Sequence, residues 1–211
     1  MRREMKRRMH VAKVSAVALL AWLAGACGNL TSGGFGEVEV VVATDSVSAA
    51  AMQAPAAAGF PTGRPASRQV VDGTLTMRVQ VFAVSRSGRA LEVTSGVQEL
   101  VMPLSSVAPF LLARRDLPEG SYASVRTVFL SVVAEVESGL VVDGVPIRGP
   151  VTVELGPSGR IMVETPLDLT VSENTPAQVK VDLHTTRWLR LLNQQRRVQP
   201  EDFQREVQVR R

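Results

Sequence analysis

Few side chains in this 211-residue chain can do nucleophilic, metal or acid–base chemistry, so their spacing decides what they mean. There is one cysteine, Cys27; no disulfide closes within the chain and no Cys-x-x-Cys metal or redox motif exists. The histidines are His10 and His184. A zinc centre needs several ligands, and a triad needs a base held by a partner group. His184 stands on the polar side of an alternating segment and reads as a surface or strand-edge residue. Glu37 with Glu39, and Glu135 with Glu137, are carboxylate pairs on one side of a strand, from which acid–base hydrolysis could be built; a solvated strand face accounts for both. Arg114-Arg115-Asp116, beside a turn, could meet an anionic ligand and reads as a loop ion pair. No glycine-rich phosphate loop opens a helix, and no calcium-loop pattern of spaced acids occurs. Aromatic residues make up 4%, too few for a stacking platform, and only Phe60, Tyr122 and Trp188 could serve a sugar-binding face. The expectation is a chain with no catalytic residue, no cofactor and no metal.

The charge agrees. The net charge of +4 would suggest an anionic partner, but residues 1–26 hold six basic side chains (Arg2, Arg3, Lys6, Arg7, Arg8, Lys13) against Glu4. Without them the chain keeps 24 − 6 = 18 basic and 20 − 1 = 19 acidic groups, a net of −1. That balance argues against nucleic acid as a partner. Within the remainder, residues 187–211 carry seven arginines against Glu201, Asp202 and Glu206, and read as a charge-mixed, solvated terminus.

The basic segment of residues 1–13 is followed by an apolar run over residues 14–26, VSAVALLAWLAGA. A membrane-spanning helix needs about 20 apolar residues, so this run fits the core of an export signal, with its positive end kept on the cytoplasmic side. The run ends Leu23-Ala24-Gly25-Ala26-Cys27. This resembles the bacterial lipobox, in which small residues precede a cysteine; Ala24 stands where the family prefers leucine, with Leu23 one step earlier. The resemblance implies a signal peptide of residues 1–26, a diacylglycerol on the Cys27 sulfur, cleavage before Cys27 and acylation of the new amino group. Residues 27–35, small and polar, read as a flexible tether. Gly28 stands where the inner-membrane retention pattern has Asp, which implies the outer membrane, with the domain in the periplasm or at the cell surface.

The rest reads as strands. In residues 36–44 Val38, Val40 and Val42 alternate with Glu37 and Glu39. Residues 45–69 are rich in Ala, Ser, Pro and Gly without an apolar period and read as a long loop. Residues 74–86 place Leu75, Met77, Val79, Val81 and Ala83 on one face, turn at Ser87-Gly88 and return over 90–94; 97–104 is another strand. Residues 105–117 are ambiguous, with room for a helical turn, and Pro118-Glu119-Gly120 is a turn. Residues 122–137 read as a central strand ending at a Ser138-Gly139 turn, and Asp143-Gly144 as a tight turn. Residues 152–155 and 160–164 read as a hairpin about Gly156-Pro157-Ser158-Gly159. Leu167, Leu169 and Val171 alternate with polar residues, as do Val179, Val181 and Leu183. Residues 185–197 are the one amphipathic helix candidate, through Trp188, Leu191 and Leu192, and read as a core-capping segment, with a membrane-surface helix as the alternative; alternation from Phe203 to Val209 predicts a closing strand. Eight or nine short strands point to a sandwich or barrel.

The run Leu117-Pro118-Glu119-Gly120-Ser121-Tyr122 with Val125-Arg126, and the later Val181-Asp182-Leu183, resemble the turn-and-strand motifs of a bacterial and archaeal lipoprotein family. The resemblance covers roughly residues 36–209 and departs at the Ala/Pro-rich segment. It implies an all-β, antiparallel β-sandwich of transthyretin-like (prealbumin-like, carboxypeptidase-regulatory-like) type, after the N-terminal signal segment. The family's function is unknown, so no activity follows. The expectation is a non-enzymatic, lipid-anchored domain of the cell envelope with a structural or interaction role. Its partners are the membrane through Cys27 and an envelope protein or a glycan. The alternative is a carbohydrate-binding surface lipoprotein, with a hydrolase further behind.

Overall fold

Valines at alternate positions bury one side of β1 (Phe35–Ala43), leaving Glu37 and Glu39 half-exposed on the other, as the period of two requires. The computed structural model describes residues 33–44, 71–106 and 108–211; Cys27, Phe60, the signal segment and the Ala/Pro-rich segment lie outside them. After β1 come β2 (Asp72–Ser85), β3 (Ala90–Glu92), β4 (Gln98–Pro103), β5 (Phe110–Pro118), β6 (Gly120–Val142), β7 (Val145–Val153), β8 (Ile161–Val171) and β9 (Ala177–Asp182). Then follow α1 (Thr185–Leu189), β10 (Arg197–Val198), α2 (Pro200–Glu206) and β11 (Gln208–Arg210).

The strands form two packed sheets, an all-β sandwich. One has the order β11-β9-β1-β5. The other is built on β2 and β6, which pair antiparallel along nearly their whole length. Each long strand has its second edge filled by two short strands laid end to end. On β2, β3 meets residues 82–84 and β4 meets residues 74–79. On β6, β8 meets residues 120–129 and β7 meets residues 133–142. In the gap between β3 and β4 the ladder continues by other means: the Val93 amide donates to the Val81 carbonyl at 2.8 Å, and the Val81 amide donates to Thr94 Oγ1 at 3.1 Å. Buried backbone groups need partners, and the Thr94 hydroxyl supplies one where the strand is interrupted.

The apolar stripes predicted from alternation meet between the sheets. Val38, Val40, Val42, Val179, Val181 and Leu183 come from one side; Leu75, Met77, Val79, Val81, Val125, Phe129 and Val132 come from the other. Phe203 of α2 bridges Phe129 and Trp188 of α1, with ring centroids 5.0 and 5.5 Å away in edge-to-face geometry. Such pairs add about 1 kcal/mol each beyond area burial.

Several expectations are corrected. Residues 152–155 and 160–164 do not pair as a hairpin: β7 and β8 both bond to β6, and the Gly156–Gly159 turn carries the chain between them. A local hairpin would have left one edge of β6 bare. No turn ends β6 at Ser138-Gly139; the strand absorbs Gly139 (φ 80) as an irregularity and runs to Val142, because Leu140 and Ile147 continue the core. The turn is at Asp143-Gly144, both with positive φ. The ambiguous 105–117 segment supplies an edge strand, β5, paired with β1. The helix in 185–197 stops at Leu189. Phe203 lies on a helix, and only Gln208–Arg210 is the closing strand. Pro200 at the helix start, Glu201 and Asp202 in its first turn and Arg205 in its last outweigh the alternation. Two pairings are parallel, β1 with β9 and β7 with β10, and all the others are antiparallel.

Candidate functional site

The residues carrying the turn-and-strand resemblance form one corner. Leu117 is buried, Gly120 sits at φ 148 where a side chain is strained, and the buried Tyr122 donates its hydroxyl to the Pro118 carbonyl at 2.8 Å. Glu119 Oε1 accepts the Glu173 amide at 2.6 Å and ties the corner to the end of β8. Burial raises the Tyr122 pKa, with Arg89 opposing.

From this corner β6 carries Ser124 and Arg126 onto the outer face of the larger sheet, Arg126 opposite Glu164 of β8 and Ser124 opposite Pro166. Ser124 Oγ donates to Glu164 Oε1 at 2.6 Å; Arg126 meets Oε2 through Nε at 2.9 Å and a second guanidinium nitrogen at 2.8 Å. The Ser124 hydrogen bond first, then Arg126, hold the Glu164 carboxyl below its ordinary pKa, against a small opposing effect of burial. A carboxylate held ionised in this way is a weak base, which fits recognition or bracing better than proton abstraction near neutrality.

A second carboxylate, Asp182 of β9, is fully buried although it lies on the strand side facing away from the core. Lys180 Nζ lies 3.1 Å from Oδ1, and the Arg210 guanidinium of β11 meets Oδ2. These are ion pairs whose angles give neither oxygen a well-aligned hydrogen bond among the described residues. The cluster pins the closing strand to β9, whose register sets Arg210 opposite Lys180 and Gln208 opposite Asp182.

His184 is not a surface residue. It is 7% exposed, at φ 46, and its Nε2 has no hydrogen-bond partner among the described residues. The left-handed turn lets Leu183 and Thr185 bond to Ala43 and Thr44, closing the chain over the end of β1. Burial takes this imidazole out of reach of a substrate.

The structure does not bring the carboxylate pairs together as acid and base. Glu37 and Glu39 both face Arg114 of β5, and Glu135 and Glu137 are exposed on β6. Arg114-Arg115-Asp116 therefore belongs to a strand, and Arg114 pairs across to β1. Tyr122 and Trp188 are buried, so neither offers a face to a sugar. No group of three or more His, Cys, Asp or Glu stands together among the described residues. The basic terminus folds onto the domain: Arg187 pairs with Glu206, Arg197 with Glu154, Arg205 with Asp202 and Arg210 with Asp182. The Glu154–Arg197 pair, with Thr152, Val153 and Leu155, lines a shallow open cleft where β7 meets β10. Gln199 also donates to Glu154, at 3.1 Å, so the cleft's carboxylate is already engaged.

Sequence reasoning missed both braces. The signal for the Arg126–Glu164 pair was weak, because it depends on which strands are neighbours. Asp182 stood on a polar side whose depth alternation does not report. Comparison with protein-family models, curated proteins and solved structures found no match.

Proposed function

We propose that this chain is a lipid-anchored protein of the cell envelope whose β-sandwich has a non-enzymatic, structural or interaction role. The observation that carries the proposal is the apolar run of residues 14–26 ending at Cys27, the sole cysteine of the chain. Two or more acyl chains at that position, each contributing about 0.8 kcal/mol per buried methylene, hold a protein stably on a membrane. The outer membrane is the proposed address, from Gly28, and the transthyretin-like topology belongs to the same proposal. The non-enzymatic role draws on the site chemistry. Glu164, Asp182, Glu39 and Glu154 are each held by a cation, and His184 is enclosed.

The test is metabolic labelling with an alkyne fatty acid in the native cell, beside a chain whose first 27 residues are replaced by an ordinary cleavable signal sequence. The proposal expects label on the wild type, none on Cys27→Ala, and a replaced chain that leaves the membrane fraction. Label that persists on Cys27→Ala would contradict it.

A further inference from the structure

The register of the two sheets sorts the loops into two poles. Phe35 stands opposite Pro118, Gly120 opposite Val171, and Ser85 opposite Tyr122. The start of β1, the 118–120 corner, the 85–89 hairpin and the 172–176 segment therefore share one pole. Thr44, Asp72, the 104–106 turn and the Asp143-Gly144 turn belong to the other: Leu104 donates to the Gly73 carbonyl, and Thr44 Oγ1 donates to the Ser106 carbonyl. β2 alone, at about 3.3 Å per residue, separates the two poles by roughly 45 Å.

Phe35 is 61% exposed at the first pole, in the sequence Gly33-Gly34-Phe35-Gly36. Gly36 packs so closely on the Ser172 carbonyl that a Cβ there would clash, which holds the strand start against the 172 segment. The pole is braced by the Tyr122–Pro118 and Glu119–Glu173 hydrogen bonds. Exposed Arg86 and Arg89 stand there with exposed Glu119, Asp168 and Glu173, Arg86 lying 4.0 Å from Asp168, so the charges are mixed and nearly offset.

We propose that this pole docks on the bilayer surface, with Phe35 as the interfacial side chain, and that the opposite pole is the one presented outward. The inference rests on the lipid anchor at Cys27. Seven residues, 28–34, separate Cys27 from Phe35; the eight Cα-to-Cα steps reach at most about 28 Å. That short link holds Phe35 at high effective concentration against the membrane. A phenylalanine suits the apolar side of such an interface. With charge nearly offset on the pole, the apolar contact sets the docking, and a zwitterionic surface suffices.

The test uses the protein purified with its acyl chains and reconstituted in phosphatidylcholine vesicles, some with brominated acyl chains. Trp188 is fully buried and gives a constant background. Phe35→Trp adds a reporter at the docking pole; Val145→Trp, at a position 58% exposed on the far hairpin, adds one at the other. The expected result is a blue shift and loss of most of the added emission for Phe35→Trp on brominated lipid, with Val145→Trp unaffected. Acylated protein showing no bromine quenching of Phe35→Trp, or equal quenching at both positions, overturns the orientation while leaving the anchor intact. Shielding of Phe35→Trp from aqueous acrylamide without bromine quenching means a second copy covers the pole, and also overturns it. Protein without acyl mass on Cys27 fails the anchor itself, and the docking with it.

Discussion

Asp182 and Glu164 are both carboxylates held by basic side chains from neighbouring positions, yet their settings are opposite. Asp182 is fully buried, between Lys180 and an arginine on the last strand. The Glu164 side chain is 37% exposed, on an open sheet face. Taking a charge out of water costs several kcal/mol, so removing one member of a buried group leaves the others uncompensated. An exposed pair trades protein contacts for water at almost no net cost. The same residue types thus make a fold-determining clasp in one sheet and a surface contact in the other, with burial as the difference.

Changing Asp182 should have the largest effect. Asp182→Asn is expected to cost about 3 kcal/mol in urea unfolding of the mature chain. It should also release β11, seen as faster amide exchange at Val209 and Arg210. A loss under about 1 kcal/mol would remove the contrast with Glu164. Tyr122→Phe, which leaves the Pro118 carbonyl without its donor, is expected to cost about 1 kcal/mol. Because burial raises the Tyr122 pKa, its share of stability is complete below the unfolded value near 10 and is lost as pH rises through the folded value. The phenylalanine variant should therefore unfold less steeply in alkali.

Glu164→Gln should cost less than about 1 kcal/mol, and that loss should shrink further in 1 M salt, where charges are screened beyond roughly 3 Å. Its folded pKa is depressed, so its contribution is present above the unfolded value near 4.3 and fades as pH falls through the folded value. Melting curves of wild type and Glu164→Gln should converge toward acid pH; a gap that widens there would mean the carboxylate is not held ionised.

Alternation told which side of a strand each residue takes, and the buried stripes of β1, β2, β6 and β9 follow it. It did not tell depth. Asp182 and His184 sat on the polar side and are nonetheless enclosed, one by Lys180 and the C-terminal strand, the other by a left-handed turn. Nor does it tell partners: β7 and β8 look like a hairpin locally, and only the free edge of β6 makes them continuations of each other. Alternation from Phe203 to Val209 competed with a proline-led helix start at Pro200 followed by Glu201 and Asp202, and the helix start prevailed through Glu206. Leu117, Gly120 and Tyr122 were legible as a motif, and the structure gives each a mechanical role in one corner.

Intact mass spectrometry of the protein taken from its own membranes reads the anchor on Cys27 outright. The expected result is a chain beginning at Cys27 with acyl mass on that residue. A mature chain with a free Cys27 thiol, or one still carrying residues 1–26, would contradict it.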